Sequence, residues 1–262
     1  MVRLLAIAIL ALGLAACASP RQDLASRLSK SGFEGRWHSH GGVTMLIAVR
    51  EGRGGTPILV IEGDGTAYGP GGTPHSDPTP VEPTAPKIAQ ALARAYPDSQ
   101  VIYAARPCQF FTEAELKNCP QSLWTQGRFS APVRAAYHAL IGDAKPVIVG
   151  YSGGGVIAAH LTAEGRATAL VTVAAPLALN QWAASHGISG FALEDDPLLK
   201  RSNIQVPERH IAGSHDRTVS PSVIDRFSPN DVWLVQRGEH GSDYSQAVIL
   251  AMKDLKVIRR AR

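Results

Sequence analysis

Three side chains in this sequence have the types and order for nucleophilic acyl chemistry: Ser152, Asp216 and His240. Ser152 is the centre of Gly150-Tyr151-Ser152-Gly153-Gly154, a G-x-S-x-G pentapeptide. An apolar run, 146–149, precedes it and a helix-compatible run, 156–161, follows. A serine on such a strand-to-helix turn is held in a strained backbone with its hydroxyl pushed clear of the sheet. Glycines two before and two after it spare a collision across the turn. A serine hydroxyl is a poor nucleophile near neutral pH. It needs a histidine to take its proton and a carboxylate to fix that histidine's tautomer and balance the imidazolium.

In a doubly wound sheet the acid and then the base should leave later strands. Asp216 follows an apolar run that exits through Gly213, just before the helix start at Ser220-Pro221. Its competing role is to cap a turn. Glu194, Asp195 and Asp196 lie in an irregular stretch and read better as a solvated face. Of the nine histidines, only His240 occupies the loop after the last strand, between Gly238 and Gly241. His38, His40 and His75 precede the serine, and His186 and His210 precede the acid. His160 belongs to the helix after Ser152, and His215 adjoins Asp216 itself. Negative charge on the carbonyl oxygen needs backbone donors. Gly153 N–H is one, and the second is expected from Asp64 or Gly65 in the loop after 59–61. A carboxylate there opposes catalysis unless the Asp64 side chain turns away.

The elements that must position these groups are legible as alternating short apolar and amphipathic runs. Strands are expected at 33–38, 43–50, 57–61, 100–104, 146–149, 169–174, 209–212 and 231–235. The first two should form a hairpin across Gly41-Gly42. Helices are expected at 86–96, 131–141, 154–164, 221–227 and 243–255. A hairpin followed by βα repeats implies a mostly parallel sheet with helices on both faces. Two stretches break the rhythm: 63–86, dense in Gly and Pro, and 108–129, which carries Trp124. Both leave the carboxyl ends of parallel strands, where open α/β sheets place their sites, so they should wall the site.

Together these residues and loops resemble the α/β-hydrolase family over about 33–255. The resemblance implies an α/β-hydrolase fold without a large lid domain, since 177–207 is short. It also implies a serine hydrolase acting on a carboxylic ester or thioester through an acyl-enzyme, with no cofactor or metal. Glu62-Gly63 stands where many members have His-Gly. Other readings of the same residues are an acyltransferase, a peptidase, or a non-catalytic envelope-binding protein that keeps the fold.

The N-terminus reads as an address. Met1-Val2-Arg3 is a basic start, 4–14 is apolar but too short to span a bilayer well, and Leu14-Ala15-Ala16-Cys17 looks like a bacterial lipobox. On that reading 1–16 is a signal peptide, Cys17 is lipidated, 17–31 is a polar tether and 32–262 is a single domain. Ala18, not aspartate, after the cysteine favours the outer membrane, facing the periplasm. Cys108 and Cys119 then remain as a pair in an oxidising compartment. A disulfide across their single loop would be worth roughly 3 kcal/mol. No metal-ligand spacing accompanies them. The net charge of +4 is dispersed, leaving no stripe for nucleic acid. Expected partners are a small acyl ester and the membrane; the oligomeric state is not specified.

Overall fold

All eight expected strands form and join one sheet in the computed structural model, which describes residues 19–69, 72–189 and 191–258. They are β1 (Glu34–His40), β2 (Val43–Arg50), β3 (Ile58–Ile61), β4 (Val101–Ala104), β5 (Val147–Tyr151), β6 (Ala169–Val173), β7 (Glu208–Gly213) and β8 (Val232–Val235). Their spatial order is β1-β2-β4-β3-β5-β6-β7-β8. The β1–β2 hairpin is antiparallel with His40 opposite Val43, β2 runs antiparallel to β4, and every later pairing is parallel.

The helices are α1 (Pro20–Ser29), α2 (Ala85–Ala95), α3 (Glu113–Leu116), α4 (Ala131–Ile141), α5 (Gly153–Ala163), α6 (Leu179–Ser185), α7 (Pro221–Asp225) and α8 (Ser245–Leu255). Side chains alternate across each strand, so β3 sends Leu59 and Ile61 to one face and Ile58 and Val60 to the other. One face is covered by α4, α5, α6 and α7, the other by α1, α2 and α8. Central strands β3, β5 and β6 are buried throughout, which is why they read as unbroken apolar runs rather than alternating ones. Helix α5 is buried on nearly every side, between the sheet, α4 and the 3₁₀ turns at Pro197–Asn203.

Two expectations are corrected. The segment read as a polar tether contains α1 from Pro20 onward. Its Ser19 caps the helix reciprocally with Gln22, and Leu24 and Leu28 are buried in the cluster that includes Phe33 and Ala48. Two leucines four apart are enough to dock an otherwise polar helix. Second, Asp195 and Asp196 are not on a solvated face. Asp195 pairs with Arg134 Nη1 at 3.1 Å, and Asp196 accepts the backbone N–H groups of Leu179, Asn180 and Leu198. A buried acid survives when it is paired with a cation or hydrogen-bonded. Residues 1–18, including Cys17, lie outside the described residues.

Candidate active site

Ser152 stands between the end of β5 and the start of α5 at φ 49°, ψ −126°, a conformation that a non-glycine residue adopts only when its surroundings force it. Neighbouring glycines make the turn feasible. A Cβ on Gly150 would lie 2.5 Å from Gly155 Cα, and one on Gly154 would lie 2.5 Å from Ile61 O. The strand and the helix therefore approach each other, and β3, more closely than any side chain allows.

His240 Nε2 is 3.0 Å from Ser152 Oγ, and His240 Nδ1 is 2.9 Å from Asp216 Oδ2. The Asp216 carboxylate is buried, and its Oδ1 accepts the N–H groups of Thr218 and Val219, both at 2.8 Å. Asp216 thus caps its turn and orients the imidazole together, one oxygen for each task. With Nδ1–H donating to the carboxylate, Nε2 presents a lone pair to the serine hydroxyl. Two tyrosines hold the histidine loop from below. Tyr151 OH donates to His240 O at 3.0 Å, with its ring 5.4 Å from the imidazole, and Tyr244 OH donates to Glu239 O at 2.6 Å.

The loop after β3 lies directly against this turn. A Cβ on Gly63 would sit 3.1 Å from Ser152 Cβ and 3.0 Å from the Tyr151 ring, so the Gly63–Asp64 peptide is beside Ser152. Gly63 N–H is already taken, donating to its neighbour Glu62 Oε1 at 2.9 Å. Among the described residues no protein acceptor takes the N–H of Asp64, Gly65 or Gly153. Three amides expected to face an oxyanion are therefore open.

The Asp64 side chain does not turn away. A Cβ on Gly153 would collide with its carboxylate, so that carboxylate fills the space which only glycine leaves at 153. Its charge is met by two buried guanidiniums: Arg106 Nη1 at 2.8 Å from Oδ1 and Arg128 Nε at 2.7 Å from Oδ2. Arg106 Nη2 also donates to Arg128 O. Gln109 accepts from Arg106 N–H and donates to Gly63 O at 2.9 Å, tying the loop after β4 to the loop after β3. Neither arginine nor Gln109 stood out in the sequence. The available signal was an Ala-Arg-Pro-Cys-Gln run directly at the carboxyl end of β4, where a charge after two alanines faces the site edge.

Glu62, one residue upstream, is fully buried. Burial pushes its carboxyl up to about 7, against the opposing pull of hydrogen bonds from Gly63 and Ala85 N–H and Tyr103 OH and of the Arg106 charge.

Ser152 and His240 open into a cleft of roughly 380 Å³. The first irregular loop lines it with Ala67, Tyr68, Pro80 and Val81, while the second reaches it through Arg128. These loops are laced by Trp124 Nε1 to His75 O and by Phe110 N–H to Thr79 Oγ1, and Cys108 is disulfide-bonded to Cys119. A third wall was not anticipated: Trp182 of α6 and Ile188 come from the stretch after β6, with Trp182 Nε1 donating to Thr218 O at 2.7 Å. A larger cavity of roughly 540 Å³, lined by Tyr96, Ser99, Met252 and Lys253, shares none of these residues.

No protein-family profile and no curated protein sequence matches the chain. Solved structures do. A serine hydrolase involved in carbazole degradation superposes with a TM-score of 0.56 at 16% identity, covering 86% of this chain and 98% of that one. A membrane phospholipase A described as a bacterial virulence factor gives 0.58 at 13% identity, over 89% and 93% of the two chains. An esterase from Pyrococcus furiosus gives 0.58 at 12% identity, over 86% and 91%. Likeness at this level of identity is one of fold, and with the strand order above it establishes that the chain has the α/β-hydrolase fold.

Proposed function

We propose that this protein is a serine hydrolase that cleaves a carboxylic ester or thioester through an acyl-enzyme. The observation that carries the reading is the unbroken hydrogen-bonded line from Ser152 through His240 to buried Asp216, ending beside unpaired backbone amides. In this scheme Ser152 Oγ attacks the acyl carbon as its proton passes to His240 Nε2, and Asp216 stabilises the resulting imidazolium. The carbonyl oxygen takes up the negative charge between Gly153 N–H and Asp64 N–H, the amide whose peptide adjoins the serine. As the intermediate collapses, His240 gives its proton to the departing alcohol or thiol. A water molecule then repeats the cycle on the acyl-enzyme, with His240 again as base, and frees the acid.

The fold is shared by an esterase and a phospholipase and also by an acylaminoacyl peptidase, so amide controls decide between ester and amide. The test is labelling of the folded protein by a fluorophosphonate, followed by turnover of p-nitrophenyl esters of graded chain length with amide and thioester controls. Absence of labelling at Ser152 would sink the reading. We further propose that lipidated Cys17 anchors the protein to the bacterial outer membrane. Helix α1 starts at Pro20, so the lipid would sit close to the docked fold rather than at the end of a long tether. Cys17→Ser should move the protein from the membrane fraction to the soluble one.

A further inference from the structure

Arg128 is 2% exposed, yet its hydrogen bonding is incomplete. Nε donates to Asp64 and Nη1 to Thr125 O at 3.1 Å, whereas Nη2 has no acceptor among the described residues. The guanidinium is held between rings, with its carbon 4.4 Å from the Phe191 centroid, 4.9 Å from Phe129 and 5.2 Å from Tyr68. It lines the same cleft as Ser152 and His240. Nη2 is not among the buried unpaired atoms of the described residues, so a guanidinium otherwise buried and fixed in orientation leaves one nitrogen reachable from solvent and free to donate to a ligand.

Charge points the same way. Arg106 and Arg128 share one carboxylate, Asp64, and Glu62 acts on Arg106 from beneath the loop, so the positive charge left incompletely balanced in this corner sits on Arg128. The N-terminus of α5 adds to it. The other acids lining the cleft are Glu62, turned to Gly63 N–H and Tyr103 OH beneath the loop, and exposed Glu82. An anionic oxygen is what the corner lacks.

We propose that the cleft selects esters carrying an anionic group, a carboxylate or phosphate, which accepts from Arg128 Nη2 while the scissile carbonyl sits at Ser152. This rests on the serine-hydrolase reading of Ser152. Asp64 bridges the two positions: one oxygen pairs with Arg128, and the carboxylate lies against Gly153. The anion is therefore only a few bonds from the scissile carbonyl, on the acyl or the leaving-group arm.

Three esters separate the arms: p-nitrophenyl butyrate, mono-p-nitrophenyl glutarate with a carboxylate on the acyl arm, and 3-carboxy-4-nitrophenyl butyrate with one on the leaving group. One of the anionic esters should exceed the neutral one in kcat/KM by about tenfold or more, as expected for a charge-assisted hydrogen bond. Arg128→Gln should erase that ratio and Arg128→Lys should keep part of it. The neutral ester is the internal control, since loss of the brace on Asp64 lowers all three alike. An equal fall on all three esters, or no preference in the wild type, overturns the proposal. Calorimetric binding of glutarate to Ser152→Ala protein is the arm independent of turnover. If no ester is hydrolysed this arm alone decides, while the hydrolase reading itself falls only if Ser152 is not labelled by the fluorophosphonate. Glutarate binding that vanishes on adding Arg128→Gln supports the anion site, and no binding, or binding unchanged by that substitution, removes it.

Discussion

The two halves of the candidate site are built by different physics. On one side, the turn at Ser152 is shaped by local sterics: a β-strand, a helix and two glycines allow one backbone path, and the serine occupies its apex. On the other, the loop from Glu62 to Gly65 has no such internal instruction. It is held by side chains that arrive from far along the chain: Arg106 and Gln109 after β4, Tyr103 within it, and Arg128 before α4. The first half costs little electrostatically. The second gathers two buried arginines around part-buried Asp64, with fully buried Glu62 beside it. On the proposed reading, a nucleophile placed by backbone geometry works with an oxyanion loop placed by ion pairs, and the two should fail differently.

Ser152→Ala should break the chemistry without touching either scaffold. Ester turnover should drop by roughly 10⁴-fold or more, with the urea midpoint unchanged. Substantial residual turnover would mean another nucleophile. Asp64→Ala attacks the other half and should cost both activity and stability. It strands Arg106 and Arg128 as buried unpaired cations, which costs about 3–5 kcal/mol. It also frees the loop that presents the Asp64 N–H, a loss of about 10²-fold in kcat. Denaturation and kinetics on the same sample measure both, and a stable variant with full kcat would show that the arginines do not set the loop.

Glu62 gives that half a pH signature of its own. Its folded pKa, about 7, lies above the ordinary value of 4.5, so between these the folded chain binds more protons than the unfolded one. Stability from this group is therefore complete below pH 4.5, falls as pH rises to about 7, and is flat above, for a total of roughly 3 kcal/mol. Glu62→Gln should remove this slope, read from urea unfolding at pH 5, 6 and 8. An identical slope in both proteins would rule the group out. The smallest effect is expected at Tyr151→Phe, which deletes one hydrogen bond to His240 O, worth about 1 kcal/mol. We expect a several-fold fall in kcat with KM little changed; a change in KM alone would place the hydroxyl in substrate binding instead.

The difference between the halves is also why one was legible in the sequence and the other only partly so. Ser152 is announced by glycines at fixed offsets within a strand-to-helix context. Asp216 and His240 are announced by their places after successive strands; the buried parallel strands were readable as short apolar runs, and the antiparallel β1–β2 pair by the glycines of its hairpin. Gly153, Asp64 and Gly65 were reachable by position, as amides next to the serine and after β3. Arg106 and Arg128 carry no local mark, since an arginine beside a proline or a phenylalanine looks like any surface residue until a carboxylate is brought to it. Helices α1 and α6 escaped notice for the same reason: each docks by a few side chains, Leu24 and Leu28 or Leu179 and Trp182, in otherwise polar or small-residue sequence.

What the sequence determined by itself was the order of the strands and the candidate groups on the Ser152 side, because periodicity and glycine placement act over a few residues. Only the tertiary structure decided how the carboxylate at Asp64 is tolerated beside Gly153. Its neutralisation depends on contacts 42 and 64 residues away in the chain, and Coulomb interactions among buried groups follow distance in space, not separation in sequence.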